Sequence, residues 1–564
     1  MTESNLTISK AQMSRAALQR LYIAMRHLFI RGSYKPLGVS GEAMIDALLV
    51  LEPEIYGSIS DAEKVELDGL LYIFQRLPQG IEECRYIRLI SREGYEDSSF
   101  KALVPAKRRR DCYRIDEEQM YIEMTRGRSD VYDVLTHLTF MYIEAEKIQR
   151  HALDHKGRKK KEWLMLEEIV EKIAAKKSFN KEVGYTYLSS LLGRTYDEIA
   201  QAAQIFDKAE KVNSLFNIVY WLGYRSIKER SNDNDREISF SATLREKLGL
   251  HIFGEIWAQN IKRNLDALGL LEKEIHIVSA NLHSVMNSFF AKAVMKKVKK
   301  MSFEEVTKKL SDDNQQKTRE KITKHASENG MTQIQDKSGS NIGVQIFDCS
   351  QLDKKHFPAE LQKGYVASKN KNKVIIVMDY AFGEQAYECM DELLKPYEDN
   401  GTKRYLNIAS ISIMGKAGIL SGKKGDIMVP NAHVFEGTAD NYPFENGLSV
   451  KQFEDSGLDV YGGPMITVLG TSLQNKDILR YFLRSSWKAA GLEMEGAHYQ
   501  KAIQAASMIR GSISKDVTLR YAYYASDNPL ETGSTLASGG LGVDGVKPTY
   551  EITLAILKGV LGKG

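Results

Sequence analysis

Cysteine is scarce: Cys84, Cys112, Cys349 and Cys389 are the four thiols in 564 residues, and none forms a C-x-x-C pair. Neither a disulfide framework nor a zinc site is suggested, and reduced, partly buried thiols are expected. No uninterrupted apolar run is long enough to cross a bilayer, so no membrane helix or anchor is expected. The stretch MTESNLTISKAQMSRAALQ lacks the basic, apolar and small-residue regions of a secretory signal, which makes the cytoplasm the expected location. An excess of one charge is missing too. The formal net charge is +4, so the overall field announces no polyanionic partner. KRRR at 107–110 and KGRKKK at 156–161 are basic, but neither carries the interleaved aromatics of a strand-binding groove. Both are expected as solvated helix ends or loops, with nucleic acid an unlooked-for partner.

The chain does have the makings of a globular protein, 43% hydrophobic and 27% charged. Its length suggests roughly two to four folding units. Up to about residue 270, helical periodicity dominates, as in AALQRLYIAMRHLFIRG with Gly32 as a stop, and DEIAQAAQIFDKAEKVNSLFNIVYWLGY reads as one long helical region. EIHIVSANLHSVMNSFF at 274–290 reads as strand, loop and helix. Its polar loop either lines a crevice or supplies Asn281 or Ser284 as a helix cap, and the cap is favoured. The charged stretch from 296 to 340 reads as a solvated helix and linker. The expected division is a mainly α-helical region over 1–330 and a second domain over 340–564.

In that second part the period changes. VIIVMDY, YLNIASISIM, DIMVP, PMITVLG and VTLRYAYYA are β-rich runs, with helix-like segments between several of them. Alternation of this kind predicts an α/β fold of three layers around a central, mostly parallel twisted sheet. Ligands in such sheets collect beyond the carboxyl ends of the strands. Those ends read AFGEQA, GKAGILSGKKGD, GTSLQN, GLEMEG and SDNPLETG, each with glycine for close approach or a polar group.

GKAGILSGKKGDIMVP, LEMEGAHYQKAI and YAYYASDNPL, in that order, resemble motifs of the purine nucleoside phosphorylase and nucleosidase superfamily, which includes methylthioadenosine/S-adenosylhomocysteine nucleosidase and AMP nucleosidase. The resemblance covers about 340–564. It implies that Glu495 holds ribose hydroxyls, Met494 packs on the sugar and Glu493 supports them. A carboxylate suits this role because it only accepts hydrogen bonds and can take both hydroxyls of a vicinal diol. Asp527 matches the aspartate that gives or shares a proton with purine N7, with Ser526 orienting it. A positioned acid is what the departing base needs. Glu384 falls roughly where nucleosidases carry the glutamate that positions water, with an ordinary helix-surface glutamate as the alternative, and Phe382 borders the sugar.

Departures from the pattern are informative. In the loop bounded by Gly415 and Gly418, Lys416 replaces a small hydroxyl residue, and it either binds a substrate phosphate or fills space in a salt bridge. No arginine of the phosphorylase phosphate site is evident after the first strand, and Leu473 stands where many relatives stack an aromatic residue on the base. The stretch DNPLETGSTLASGGLGVDGVKPTYE is similar to AMP nucleosidase, with a flexible loop and Lys547 as a phosphate partner. The resemblance thus implies hydrolysis of the N-glycosidic bond of a purine nucleotide or nucleoside, AMP first, by a homo-oligomer needing neither metal nor organic cofactor. The alternatives are phosphorolysis with inorganic phosphate and a nucleotide sensor without turnover.

Overall fold

The computed structural model describes residues 9–232, 235–295, 301–438, 440–531 and 542–562. The chain divides into two compact units: Met1–Thr125 with Asp130–Leu250 and Ser472–Ile478, and Arg126–Ser129 with His251–Thr471 and Leu479–Gly564. The break near residue 250 precedes the division expected between 330 and 340. KKVKK at 296–300 and the loop at 532–541 lie outside the described residues.

The first unit is helix-rich. Its Lys10–Arg31 helix starts at a capping box of Ser9 and Gln12 and stops at Gly32, whose φ of 98° is costly for other residues. The long helical region expected around residue 210 is two helices, Tyr196–Lys208 and Leu215–Asn232, because the backbone turns extended at Ala209. A mixed sheet, unannounced by the sequence, joins strands β1 (Ser33–Tyr34), β2 (Tyr86–Ile90), β3 (Cys112–Arg114), β4 (Gln119–Glu123) and β5 (Glu237–Phe240) in the order β1-β5-β2-β4-β3. Strands this short carry too few residues for a clear alternation.

The KRRR run is partly buried here, which corrects the expectation of a solvated segment. Arg108 makes a two-pronged pair with Asp133 at 2.9 Å, and Arg110 bonds Asp130 at 2.8 and 3.0 Å while also pairing with Asp133. Only Lys107 and Arg109 of the run are exposed. Buried guanidinium groups persist because carboxylates meet them.

The second unit contains β6 (Glu274–Ser279), β7 (Met331–Ile334), β8 (Val344–Asp348), β9 (Lys373–Met378), the hairpin β10 (Tyr397–Asp399) and β11 (Thr402–Arg404), β12 (Ile408–Ile419), β13 (Ile427–Phe435), β14 (Asn441–Pro443), β15 (Val460–Thr467), β16 (Gly491–Glu493) and β17 (Thr518–Asp527). The large sheet runs β14-β13-β15-β16-β12-β6-β9-β8-β7, and β17 pairs with both β12 and β13. The strands β13, β15, β16, β12 and β17 therefore close into a ring, in place of the open twisted sheet expected. Register shifts at Ala417/Gly418 in β12 and Pro430/His433 in β13 accompany this closure, as bulges bend strands. The charged stretch read as a solvated helix and linker supplies two helices, Phe303–Leu310 and Gln316–Ser327, and then strand β7, which pairs antiparallel with β8. Its dense charge masks the few apolar positions that are buried, Val306, Leu310, Ile322 and Ala326.

Alternate residues of the central strands enter different cores. Val374, Ile376 and Met378 of β9 join one with Ile277, Met390 and Tyr499, whereas Ile375 and Val377 join another with Val278, Phe289 and Leu557. Burial on both faces is why these strands read as unbroken apolar runs. The parallel neighbours β9, β6, β12 and β17 deliver their carboxyl ends to one edge.

Candidate active site

Gly418 organises that edge. In the strand register it lies opposite Asp527 of β17 and Leu492 of β16, so the Ser-Asp strand end and the E-M-E turn flank one glycine. Lys416, two residues earlier on β12, is exposed and faces Tyr524 in the register.

The two glutamates of E-M-E divide the work. Glu493 is buried; its Oε1 accepts the Thr467 hydroxyl at 2.5 Å, and its Oε2 accepts the N–H groups of Glu495 and Gly496. It thereby satisfies amides that open the helix Gly496–Gln504, amides that have no partner within the helix. Burial raises its pKa to about 7, against the pull of these donors. Glu495 is half-buried, and its Oε1 accepts the Gly383 N–H at 2.9 Å. Burial and then the neighbouring Glu493 raise its pKa to about 8, with the Gly383 amide and Lys416 opposing.

At the end of β17, Ser526 donates its hydroxyl to Oδ1 of Asp527 and lies 3.2 Å from the Ala417 carbonyl. Asp527 is 5% exposed, and its Oδ2 is buried with no hydrogen-bond partner among the described residues. Burial raises its pKa; the Ser526 bond and Lys416 pull the other way. Lys416 thus acts electrostatically on Asp527 and Glu495 alike.

The loop after β9 holds Phe382, Gly383 and Glu384. Glu384 stands at the start of the helix Gln385–Leu393, with its Oε1 3.6 Å from Arg128 and its N–H donating to Ser129 Oγ at 2.9 Å. Arg126 lies over the Phe382 ring, 4.7 Å from its centre. Met494 comes close to Gly383, its Cε 3.8 Å from where a Cβ would stand.

A pocket of about 400 Å³ lies beside Lys416, which lines it together with Asn281, His283, Asn287, Arg319 and Tyr550. Among the described residues no carboxylate lines it, and neither Glu495 nor Asp527 does; Lys416 is common to pocket and carboxyl pair. Asn281 caps the helix Leu282–Val294 through the His283 N–H at 2.9 Å and lines the pocket as well, so the two sequence alternatives coexist. Asn287 donates to the Tyr550 hydroxyl at 2.7 Å, and its own Oδ1 is buried without a hydrogen-bond partner among the described residues. Arg319 donates to the Leu310 and Asp312 carbonyls at 2.8 and 2.7 Å, which fixes its charge at the wall.

The structure therefore gathers Glu493, Met494, Glu495, Ser526, Asp527, Gly415, Lys416, Gly418, Phe382 and Glu384 within the second unit. Leu473 falls outside that unit, and Lys547 lies within it but away from the pocket lining. Leu473 belongs to Ser472–Ile478, which clusters with the first unit, and is 3% exposed there. Lys547 lies 3.8 Å from Glu304 and is absent from the pocket lining. Arg126, Arg128 and Ser129 went unnoticed in the sequence, where RGRSD precedes the loop they touch by some 250 positions and carries no motif. Among the described residues, no group of three or more His, Cys, Asp or Glu side chains could hold a metal, and no helix is long and apolar enough to cross a membrane.

The model of a family described as "Family of unknown function (DUF6909)" matches residues 42–311 and 291–562. No curated protein matches the chain. Among solved structures, the chain is distantly similar to the 5'-methylthioadenosine/S-adenosylhomocysteine nucleosidase of Campylobacter jejuni (12% identity over 51% of this chain and 97% of that one, TM-score 0.29). A mutant futalosine hydrolase of Helicobacter pylori gives 13% identity over 51% and 99%, TM-score 0.30. The uridine phosphorylase of Schistosoma mansoni gives 13% over 55% and 89%, TM-score 0.31.

Proposed function

The chain belongs to this family of unknown function, and we propose that its second unit hydrolyses the N-glycosidic bond of a purine nucleotide or nucleoside, with AMP the first substrate to try. The observation that carries this reading is the pair of carboxyls around Lys416. Asp527 offers a buried oxygen without a hydrogen-bond partner among the described residues, on a carboxyl whose pKa burial raises, and Glu495 offers an acceptor for hydroxyls. A glycoside leaving as a base needs an acid at the base and a fixed sugar. In the proposed reaction Asp527 supplies or shares the proton on the departing purine while Ser526 orients it. Glu495 holds the ribose diol, Met494 packs on the sugar and Glu384 orients the attacking water. By the same resemblance the working form is a homo-oligomer, without metal or organic cofactor.

The pocket favours a substrate that carries phosphate. Its wall has the charges of Lys416 and Arg319 and, among the described residues, no opposing carboxylate, and an ammonium is a point-charge ligand for phosphate. The same wall suits inorganic phosphate, which supports phosphorolysis as a second reading. Incubation with AMP, adenosine, IMP, GMP and methylthioadenosine, with and without phosphate, decides between them by chromatography. Free base plus ribose 5-phosphate from AMP without phosphate supports hydrolysis. A sugar 1-phosphate formed only with phosphate supports phosphorolysis, and no base from any substrate overturns both.

A further inference from the structure

The residues Arg126–Ser129 cluster with the second unit although the chain on both sides of them belongs to the first. They meet three successive residues of the loop after β9. Arg126 covers the Phe382 ring, Ser129 Oγ accepts the Glu384 N–H, and Arg128 faces the Glu384 carboxylate. Between them stands Gly383, with a φ of 55°; a Cβ there would lie 2.4 Å from Ser129 Oγ. The fit is tight, though less so, at Gly127, where φ is 74° and a Cβ would meet the Gln385 nitrogen at 3.1 Å and Glu388 Oε1 at 3.2 Å. Two glycines facing each other's segments leave the loop no room to shift while residues 127–129 stay in place.

Because the Gly383 N–H also holds Glu495, the same loop fixes the separation of Glu384 from Glu495. We propose that Arg128 and Ser129 are positioning residues that hold the 382–384 loop so that Glu384 and Glu495 act on one substrate. This rests on the hydrolytic reading given above. Ser129 sets the backbone of Glu384, and Arg128 sets the direction of its carboxylate. Neither needs to touch the reacting atoms. A reacting geometry is sensitive to shifts of about 1 Å, which cost on the order of a hundredfold in rate.

The test uses the full chain with Ser129→Ala, Arg128→Gln and Arg128→Lys. Base release from AMP is expected to fall about tenfold or more in kcat, with KM changed by less than about threefold, because orientation rather than affinity is lost. Arg128→Lys is expected to recover part of the loss. A rise in KM at unchanged kcat overturns the proposal, as does a loss that merely tracks the folded fraction seen by circular dichroism. Hydrogen exchange over residues 381–388 is read in parallel and needs no turnover. Ser129→Ala is expected to speed exchange of the Glu384 amide about fivefold or more, the scale of one lost hydrogen bond. Unchanged exchange overturns the clamp even in an active protein. Faster exchange in Ser129→Ala, when the wild type releases no base, leaves the clamp standing and removes the hydrolytic reading alone.

Discussion

Thr467 donates its hydroxyl to Oε1 of Glu493 at 2.5 Å and accepts the Ala497 N–H at 2.9 Å, so these two side chains together receive three amides at the start of the Gly496–Gln504 helix. Glu493→Ala strands two buried N–H groups and the Thr467 hydroxyl. It should destabilise the second unit by about 2–4 kcal/mol, from a lost cap and unsatisfied donors. Glu493→Gln, which keeps one acceptor oxygen, should cost less. Denaturant unfolding followed by a probe in the second unit measures both.

Glu495 gives the site a pH signature. Its pKa and that of Glu493 lie at about 8 and about 7 in the folded chain, above the value near 4.3 of an unfolded glutamate. The folded chain therefore binds protons that the unfolded chain releases. Stability from these groups is fullest below the unfolded value and declines as pH rises through 7 to 8. The two titrate as a pair. Thermal midpoints measured from pH 5 to 9 without ligand should fall, and Glu495→Gln should flatten the fall.

Asp527→Asn keeps the shape of the strand end but cannot supply a carboxylic proton. Base release should drop at least a hundredfold, with ligand binding largely retained. A loss smaller than about tenfold, in a variant with wild-type circular dichroism, removes Asp527 from the acid role.

Lys416→Met tests whether the pocket reads phosphate. KM for AMP should rise about tenfold or more while adenosine is affected far less, because one point charge is lost from a wall lacking carboxylates. Equal effects on both substrates would instead place Lys416 in control of Asp527 and Glu495.

Arg110→Ala should destabilise the first unit by about 3–5 kcal/mol, because it breaks a buried ion pair with Asp130 and leaves Asp133 with Arg108 as its remaining arginine. The variant's unfolding curve checks this. Nucleic-acid binding in a filter assay is not expected from the wild type, whose KRRR run spends two of its arginines internally.

The sequence by itself determined the β-rich runs of the second unit and the order of the glycine and carboxyl motifs near their carboxyl ends. Strands buried on both faces must be apolar throughout, and the glycines and carboxyls near their carboxyl ends are local features, so EME and SD are legible as written, whereas GKAG, expected as a loop after its strand, lies inside β12. It could not show which glutamate of EME caps a helix, since that depends on Thr467 arriving from β15. The buried arginines, the closure of β13 onto β17, the departure of Leu473 to the first unit and the approach of residues 126–129 to Gly383 were decided only by tertiary structure. Each depends on partners distant along the chain, and a pairing across such separations needs only complementary shape and charge, which leave no periodicity or spacing to read.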